Sequence, residues 1–209
     1  MGLPARGPFS LTCTCVPMRF LLSIGGLVAT CLLVMGVPRT DSGVSAGTAV
    51  RMDVAELVEH SALVVEGRIL TSLVFEHEEG RVETEYLLEV ERTFLGEDLP
   101  YRTIRIPGGV LEDGRGMFLA GMPAIRDGEE VLLFLTSQSE GGMRMPVGLA
   151  QGKFGVVRRA DGSKMLEREG RGVTLVDARS GRTSESSPLS HWDYADVVAE
   201  IEASLVRGR

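Results

Sequence analysis

Only three of the 209 residues are cysteine, and all of them, Cys13, Cys15 and Cys31, fall within the first 31 positions. A domain built from the remainder has no disulfide to staple it and must be held by core burial. Aromatic residues are scarce at 5%, and the single tryptophan, Trp192, sits near the C-terminus, so a platform of stacked rings for a sugar polymer is not in prospect. Net positive charge is missing too. The formal charge of −7 argues against a nucleic-acid binder that works through a bulk positive field.

The strings that carry chemistry are equally thin. No Ser-x-x-Lys pair is present. Gly152-Lys153 is followed by Phe154 where a phosphate loop needs Ser or Thr, and the glycines from Gly108 to Gly121 read as turns and bends. The three histidines, His60, His77 and His191, are widely separated, and His77-Glu78-Glu79 lacks the second histidine of a zincin helix. It reads instead as a charged, solvated hairpin loop. Ser190, His191 and Asp193 suggest a catalytic set on paper, but helix capping already explains Ser190 and Asp193. The expectation is therefore a domain with no catalytic residue, no metal ligand and no cofactor.

The first 46 residues read as a leader. Arg19 precedes an uncharged run from Phe20 to Val37, which Pro38, Arg39 and Asp41 end, and Val44-Ser45-Ala46 offers a small-residue cleavage site. Met18 is an alternative start that leaves a compact positive n-region. Two rival readings stand beside export of a soluble chain: an uncleaved anchor, because the run approaches the length that spans a bilayer, and a lipoprotein signal ending at Cys31. Membrane association is expected only in those two cases; otherwise the chain is periplasmic or extracellular.

Beyond the leader, Asp53 with Glu56 three residues on predicts a capping box and a short helix presenting Leu57 and Val58, ending near His60-Ser61. Ala62 to Leu73 predicts a strand with Gly67 at a bend or bulge. Glu83 to Phe94 alternates, with Tyr86, Leu88, Val90 and Phe94 on an inner face and Glu83, Glu85, Glu89 and Glu91 on a wet one. Thr103 to Pro107 turns Ile104 and Ile106 inward, and Arg115 to Leu119 is expected as a short strand. Val131 to Leu135 is apolar on both faces, which marks a central or helix-covered strand. Arg144 to Ala150 and Phe154 to Arg159 continue the β pattern, and Asp161-Gly162 turns the chain back through Met165 and Leu166.

Residues 177–187 are small and polar and are expected as a linker. In residues 188–209, Ser190 is expected to cap a C-terminal helix, with Leu189 stapling against Tyr194. The stripe Tyr194, Val197, Val198, Ile201 and Leu205 should cover the domain formed by residues 47–176.

These elements predict a mainly β fold: a small OB-like Greek-key barrel of five to six strands, with a short N-terminal helix and a C-terminal amphipathic helix. The order Ala62 to Arg68, then Tyr86 to Val90 leading into Thr93-Phe94-Leu95-Gly96, then Gly116 to Leu119 and Glu130 to Leu135, resembles the netrin-like modules that include the tissue inhibitors of metalloproteinases. The likeness runs over roughly residues 62–158, in the form seen in cysteine-free exported bacterial proteins. That family chelates a protease zinc through an N-terminal cysteine fixed by its disulfide. This chain departs there, because Gly47 to Arg51 have no disulfide to order them, so no potent inhibition by that route is expected.

Charge is segregated along the chain. Seven glutamates lie between Glu76 and Glu91 against Arg81 alone, whereas Lys153 to Arg182 is mainly basic. Either oppositely charged strands neighbour one another, or Arg158, Arg159, Lys164, Arg168 and Arg171 form an interaction surface. The functional expectation is a non-enzymatic exported domain that binds another protein, such as an envelope or secreted protease. The alternative is an OB-like module for an oligosaccharide or envelope polymer.

Overall fold

The computed structural model describes residues 47–208 apart from 78, 79, 171, 172 and 188; the expected leader, 1–46, and Arg171 lie outside the described residues. In chain order the elements are β1 (Thr48–Val50), α1 (Val54–Glu59), β2 (Leu63–Glu76), β3 (Val82–Leu95), β4 (Tyr101–Pro107), β5 (Gly109–Val110), β6 (Gly116–Met117) and β7 (Glu130–Leu135). Then come β8 (Lys153–Arg158), β9 (Lys164–Glu169), β10 (Thr174–Val176), β11 (Thr183–Glu185), β12 (Leu189–Asp193) and α2 (Tyr194–Arg207).

The protein is mainly β, with a seven-stranded antiparallel sheet in the order β12-β9-β8-β7-β2-β3-β4. Its ladder is open, with β12 and β4 at the edges, and is not a closed barrel. Beside it lie a β5–β6 hairpin and a small sheet, β1-β10-β11, in which β1 runs parallel to β10.

The large sheet is buried on both faces, which is why β7 carries no polar position between Val131 and Leu135. Leu132 and Phe134 join Val64, Phe154 and Leu166 beneath Leu57 of α1 and Val197 and Ile201 of α2. Val131, Leu133 and Leu135 join Leu63, Val65, Leu88, Ile104 and Ile106 on the opposite face. The helix α1 begins at the expected capping box: the Asp53 carboxylate accepts from the Glu56 N–H and Glu56 accepts from the Asp53 N–H. Gly67 marks a register shift against β3, where a Cβ would run into the Glu89 carbonyl oxygen. Only glycine allows that approach.

Several expectations need correction. Arg144 to Ala150 form no strand. Pro146 has no N–H to give a ladder, and Gly148 and Leu149 both take positive φ (64° and 61°) on entering a tight turn at Leu149–Gly152. Two isolated bridges, Arg105 with Met143 and Leu135 with Pro146, are what remain of the pattern. Of Arg115 to Leu119, only Gly116–Met117 are extended.

Residues 177–187 are more than a linker. The Asp177 carboxylate accepts from the Arg179 and Ser180 N–H groups, and the turn it makes returns β11 onto β10. Ser190 does not cap α2, because Leu189 to Asp193 pair as β12 with β9, and Asp193 caps the helix by accepting from the N–H groups of Ala195 and Asp196. The Leu189 staple is accordingly lost, and that side chain is exposed. Glu83 is 1% exposed, not wet; its Oε1 lies 3.1 Å from His77 Nε2, and the His77 ring packs edge-on to Phe75. Gly47 to Arg51 are ordered without a disulfide, by pairing with β10 and by the buried Gln151, whose side chain donates to the Val50 carbonyl and accepts from the Met52 N–H.

Ile201 is fully buried in the core cluster that α1 and α2 share with the sheet. Ile201→Asp should therefore cost more than about 3 kcal/mol in urea unfolding of the folded domain, through burial of an unpaired charge. A variant that unfolds at the parental midpoint would show that α2 does not pack as described.

Candidate functional site

The β8–β9 hairpin gathers part of the expected basic surface. Its turn is fixed by Gly162 at φ 84° and by the Asp161 carboxylate, which accepts from the Ser163 N–H and hydroxyl, so that Arg158 stands opposite Lys164. Neither cation is free. Lys164 Nζ donates to Glu66 Oε1 and to Glu91 Oε1, each at 2.7 Å, and Arg158 reaches Glu130 at 3.1 Å and Glu91 at 3.4 Å. Arg68 adds a second cation to Glu130 at 2.8 Å. Three carboxylates thus meet three cations across β3, β2, β7, β8 and β9. The segregation of charge along the sequence is answered by pairing in space.

Glu66 is the buried end of this network, 1% exposed, with Tyr194 donating its hydroxyl to Oε2 at 2.6 Å. Burial raises the Tyr194 pKa, and the hydrogen bond to Glu66 raises it further. Burial works against the Lys164 charge, but its hydrogen bonds to Glu66 and Glu91 outweigh that and hold its pKa above the ordinary value. Glu91 is held below the ordinary carboxylate range, chiefly by the Lys164 hydrogen bond.

The other expected residues do not join the network. Arg168 lies over the rings of Phe154 and Trp192 at 5.4 and 5.0 Å, and burial lowers its pKa, with the Arg51 charge adding to the effect. Arg159 is exposed and donates to Met165 Sδ. Along β12, Ser190 faces away from His191 and Asp193; His191 Nε2 is 3.3 Å from Glu167 and Asp193 is committed to its cap. A Gly-x-Ser-x-Gly string does occur at 43–47, but Ser45 lies outside the described residues and the string leads into β1 rather than a helix. Among the described residues no three His, Cys, Asp or Glu converge as a metal site, and no helix is long and apolar enough to cross a membrane.

A second surface escaped the sequence reading. Past Arg68, β2 leaves β7 and continues paired with β3, which is itself paired with β4, forming a three-stranded arm on which the β5–β6 hairpin sits. The contact needs Gly109 (φ 144°), because a Cβ there would lie 2.5 Å from Thr84 Oγ1 and 2.7 Å from a Val74 methyl. The Thr84 hydroxyl donates to the Gly108 carbonyl at 2.6 Å, and Arg115 grips Glu76 with two hydrogen bonds. Val110, on the other side of β5 from Gly109, is 48% exposed, and Phe118, just past β6, is 82% exposed. Reading 115–119 as a longer strand concealed the exposure of Phe118; its place among glycines and charges was the available signal.

Comparison with known proteins returns no matching family model, no matching curated protein and no matching solved structure.

The lowered Glu91 pKa fixes a sign. Its stabilisation is present above the ordinary glutamate value of about 4.3 and is lost as pH falls through the lower folded value. Urea midpoints should therefore fall less steeply with acidification in Glu91→Gln than in the parent between about pH 5 and 3. Identical slopes would show that the Lys164 contact does not persist in solution.

Proposed function

We propose that the described domain is an exported, non-enzymatic recognition module that binds another protein through the face of the β5–β6 hairpin. The observation that carries this reading is Phe118, left 82% exposed beside Val110 on a hairpin whose opposite face is anchored to the arm. An aromatic side chain held outward on a tethered hairpin buries a large apolar area in a partner's pocket at little conformational cost. The charged rim around it, Glu112, Asp113 and Arg115, suits the polar border of a protein interface. The basic set Arg158, Arg159, Lys164 and Arg168 is a weaker candidate, since Arg158 and Lys164 are spent on internal pairs and Arg168 on rings.

We further propose that the seven-stranded sheet is related to the netrin-like OB modules. The bridges from Arg105 to Met143 and from Leu135 to Pro146 support this, because they link the β4 edge towards the segment that follows β7. The mainly β order of strands supports it as well.

A photo-crosslinking residue at position 118 of the full chain, expressed in its native cells, should capture one predominant protein. The same label at exposed Glu140 should not. Phe118→Ser should leave unfolding within about 0.5 kcal/mol of the parent while abolishing the adduct formed from a label at Val110. An adduct at 110 that survives Phe118→Ser would overturn this assignment of the surface.

A further inference from the structure

At the mouth of the second core face, where β3 passes into β4, a cavity of about 180 Å³ opens between the 96–105 and 136–144 segments. Its floor is Leu63 and Ile104, and Leu99 and Tyr101 line its side. Arg102, Arg105 and Arg144 also line it. Arg105 is neutralised by Glu85 at 2.8 Å. The other two are not: among the described residues neither Arg102 nor Arg144 makes an ion pair. Arg144 donates to the Thr136 carbonyl at 2.7 Å, and its own N–H is held by the Arg105 carbonyl at 2.8 Å. Arg102 donates through one Nη to the Glu97 carbonyl, while its Nε is buried with no hydrogen-bond partner.

Two guanidiniums without a carboxylate between them repel, and a buried N–H without an acceptor carries a desolvation cost of its own. Elsewhere Lys153 pairs with Glu129 and Lys164 with Glu66 and Glu91, and Arg168 rests on the faces of Phe154 and Trp192. Burial depresses the Arg144 pKa and the Arg102 charge depresses it further, as expected of two cations facing one cavity.

We propose that this cavity is an anion site that takes a carboxylate on a short apolar stem, seated between the Arg102 and Arg144 guanidiniums. Arginine forks match the two oxygens of a carboxylate, and the stem would lie against Leu63, Leu99 and Ile104. The volume is below the usual range for a cofactor or drug-sized ligand, so the occupant is one acidic group with a few carbons. The same chemistry comes from a free short acid or from an acidic side chain of a polypeptide. This site shares no lining residue with the Phe118 hairpin and does not depend on that docking role.

The test is an NMR titration of the full chain at constant ionic strength, following the Arg102 Nε–H and the backbone amides of Leu99, 101–105 and 138–144. The probes are isobutyrate for the free acid, N-acetylglutamate α-amide for the side chain, and inorganic phosphate. Saturable shifts confined to these residues, in the millimolar range with either carboxylate and weaker with phosphate, are expected, and the tighter carboxylate identifies the source. Arg144→Gln should weaken binding at least tenfold without lowering the melting temperature, since it relieves repulsion. Arg102→Gln serves as a second variant that removes the orphaned Nε. No saturation by either carboxylate, tighter binding of phosphate than of both, or unchanged affinity in a folded variant would overturn the proposal.

Discussion

The buried carboxylate of Glu66 constrains more of this structure than any other group. Removing a carboxylate from water costs several kcal/mol unless its oxygens are matched, and here Lys164 from β9 and Tyr194 from α2 match both. Adjacent strands lie about 4.8 Å apart, so in a flat sheet β2 and β9, with β7 and β8 between them, would stand about 14 Å apart. A lysine and a glutamate meet over that span only if the sheet curls towards the helices. Gly67 permits the curl at the next residue by letting β3 approach without a Cβ in the way. Such a pair is weak ground for net stability, yet a one-residue slip of β9 would turn Lys164 away and leave Glu66 uncompensated, so the pair selects the register.

What the sequence makes legible is what short-range physics decides. The Asp53–Glu56 capping box, the apolar run of β7, the inward Ile104 and Ile106, and the Asp161-Gly162 turn are each set by residues within a few positions of one another. The misreadings share the opposite cause. Ser190 and Asp193 are both good caps, and only the pairing of β12 with β9, some twenty residues back, decides that Asp193 does the work. Glu83 alternates as a wet residue should, but His77 and Phe75 from the facing strand end bring it under cover. Nothing local announces β11, whose residues become a strand because Asp177 turns the chain back.

Charge shows the same division. Sequence identifies an acidic stretch and a basic one, but not that Glu91 sits between Arg158 and Lys164. Once paired, those cations have their electrostatic demand met at home and offer a ligand little that is new. Arg102 and Arg144, unremarked in a survey of charge runs, share one cavity with no counter-ion among the described residues. For surface recognition the informative quantity is therefore unmet charge in a concave place rather than abundance along the chain.

A domain with no cysteine needs another way to tie down its ends, and the turn at 148–152 supplies one. Leu149 takes a left-handed φ of 61°, a conformation that costs a residue with a Cβ roughly 1 kcal/mol. Gly152 is packed so closely that a Cβ would meet the Val147 carbonyl oxygen. The return on that strain is the position of Gln151, whose buried amide holds Val50 and Met52 by the backbone and so fixes β1 before α1 begins. At the other end Tyr194 performs the matching task through Glu66, with Ile201 sealing the helix on the core. Both clamps act through a buried polar group satisfied by distant backbone or side chain. Each is specific to one geometry, and neither depends on the redox state of its surroundings.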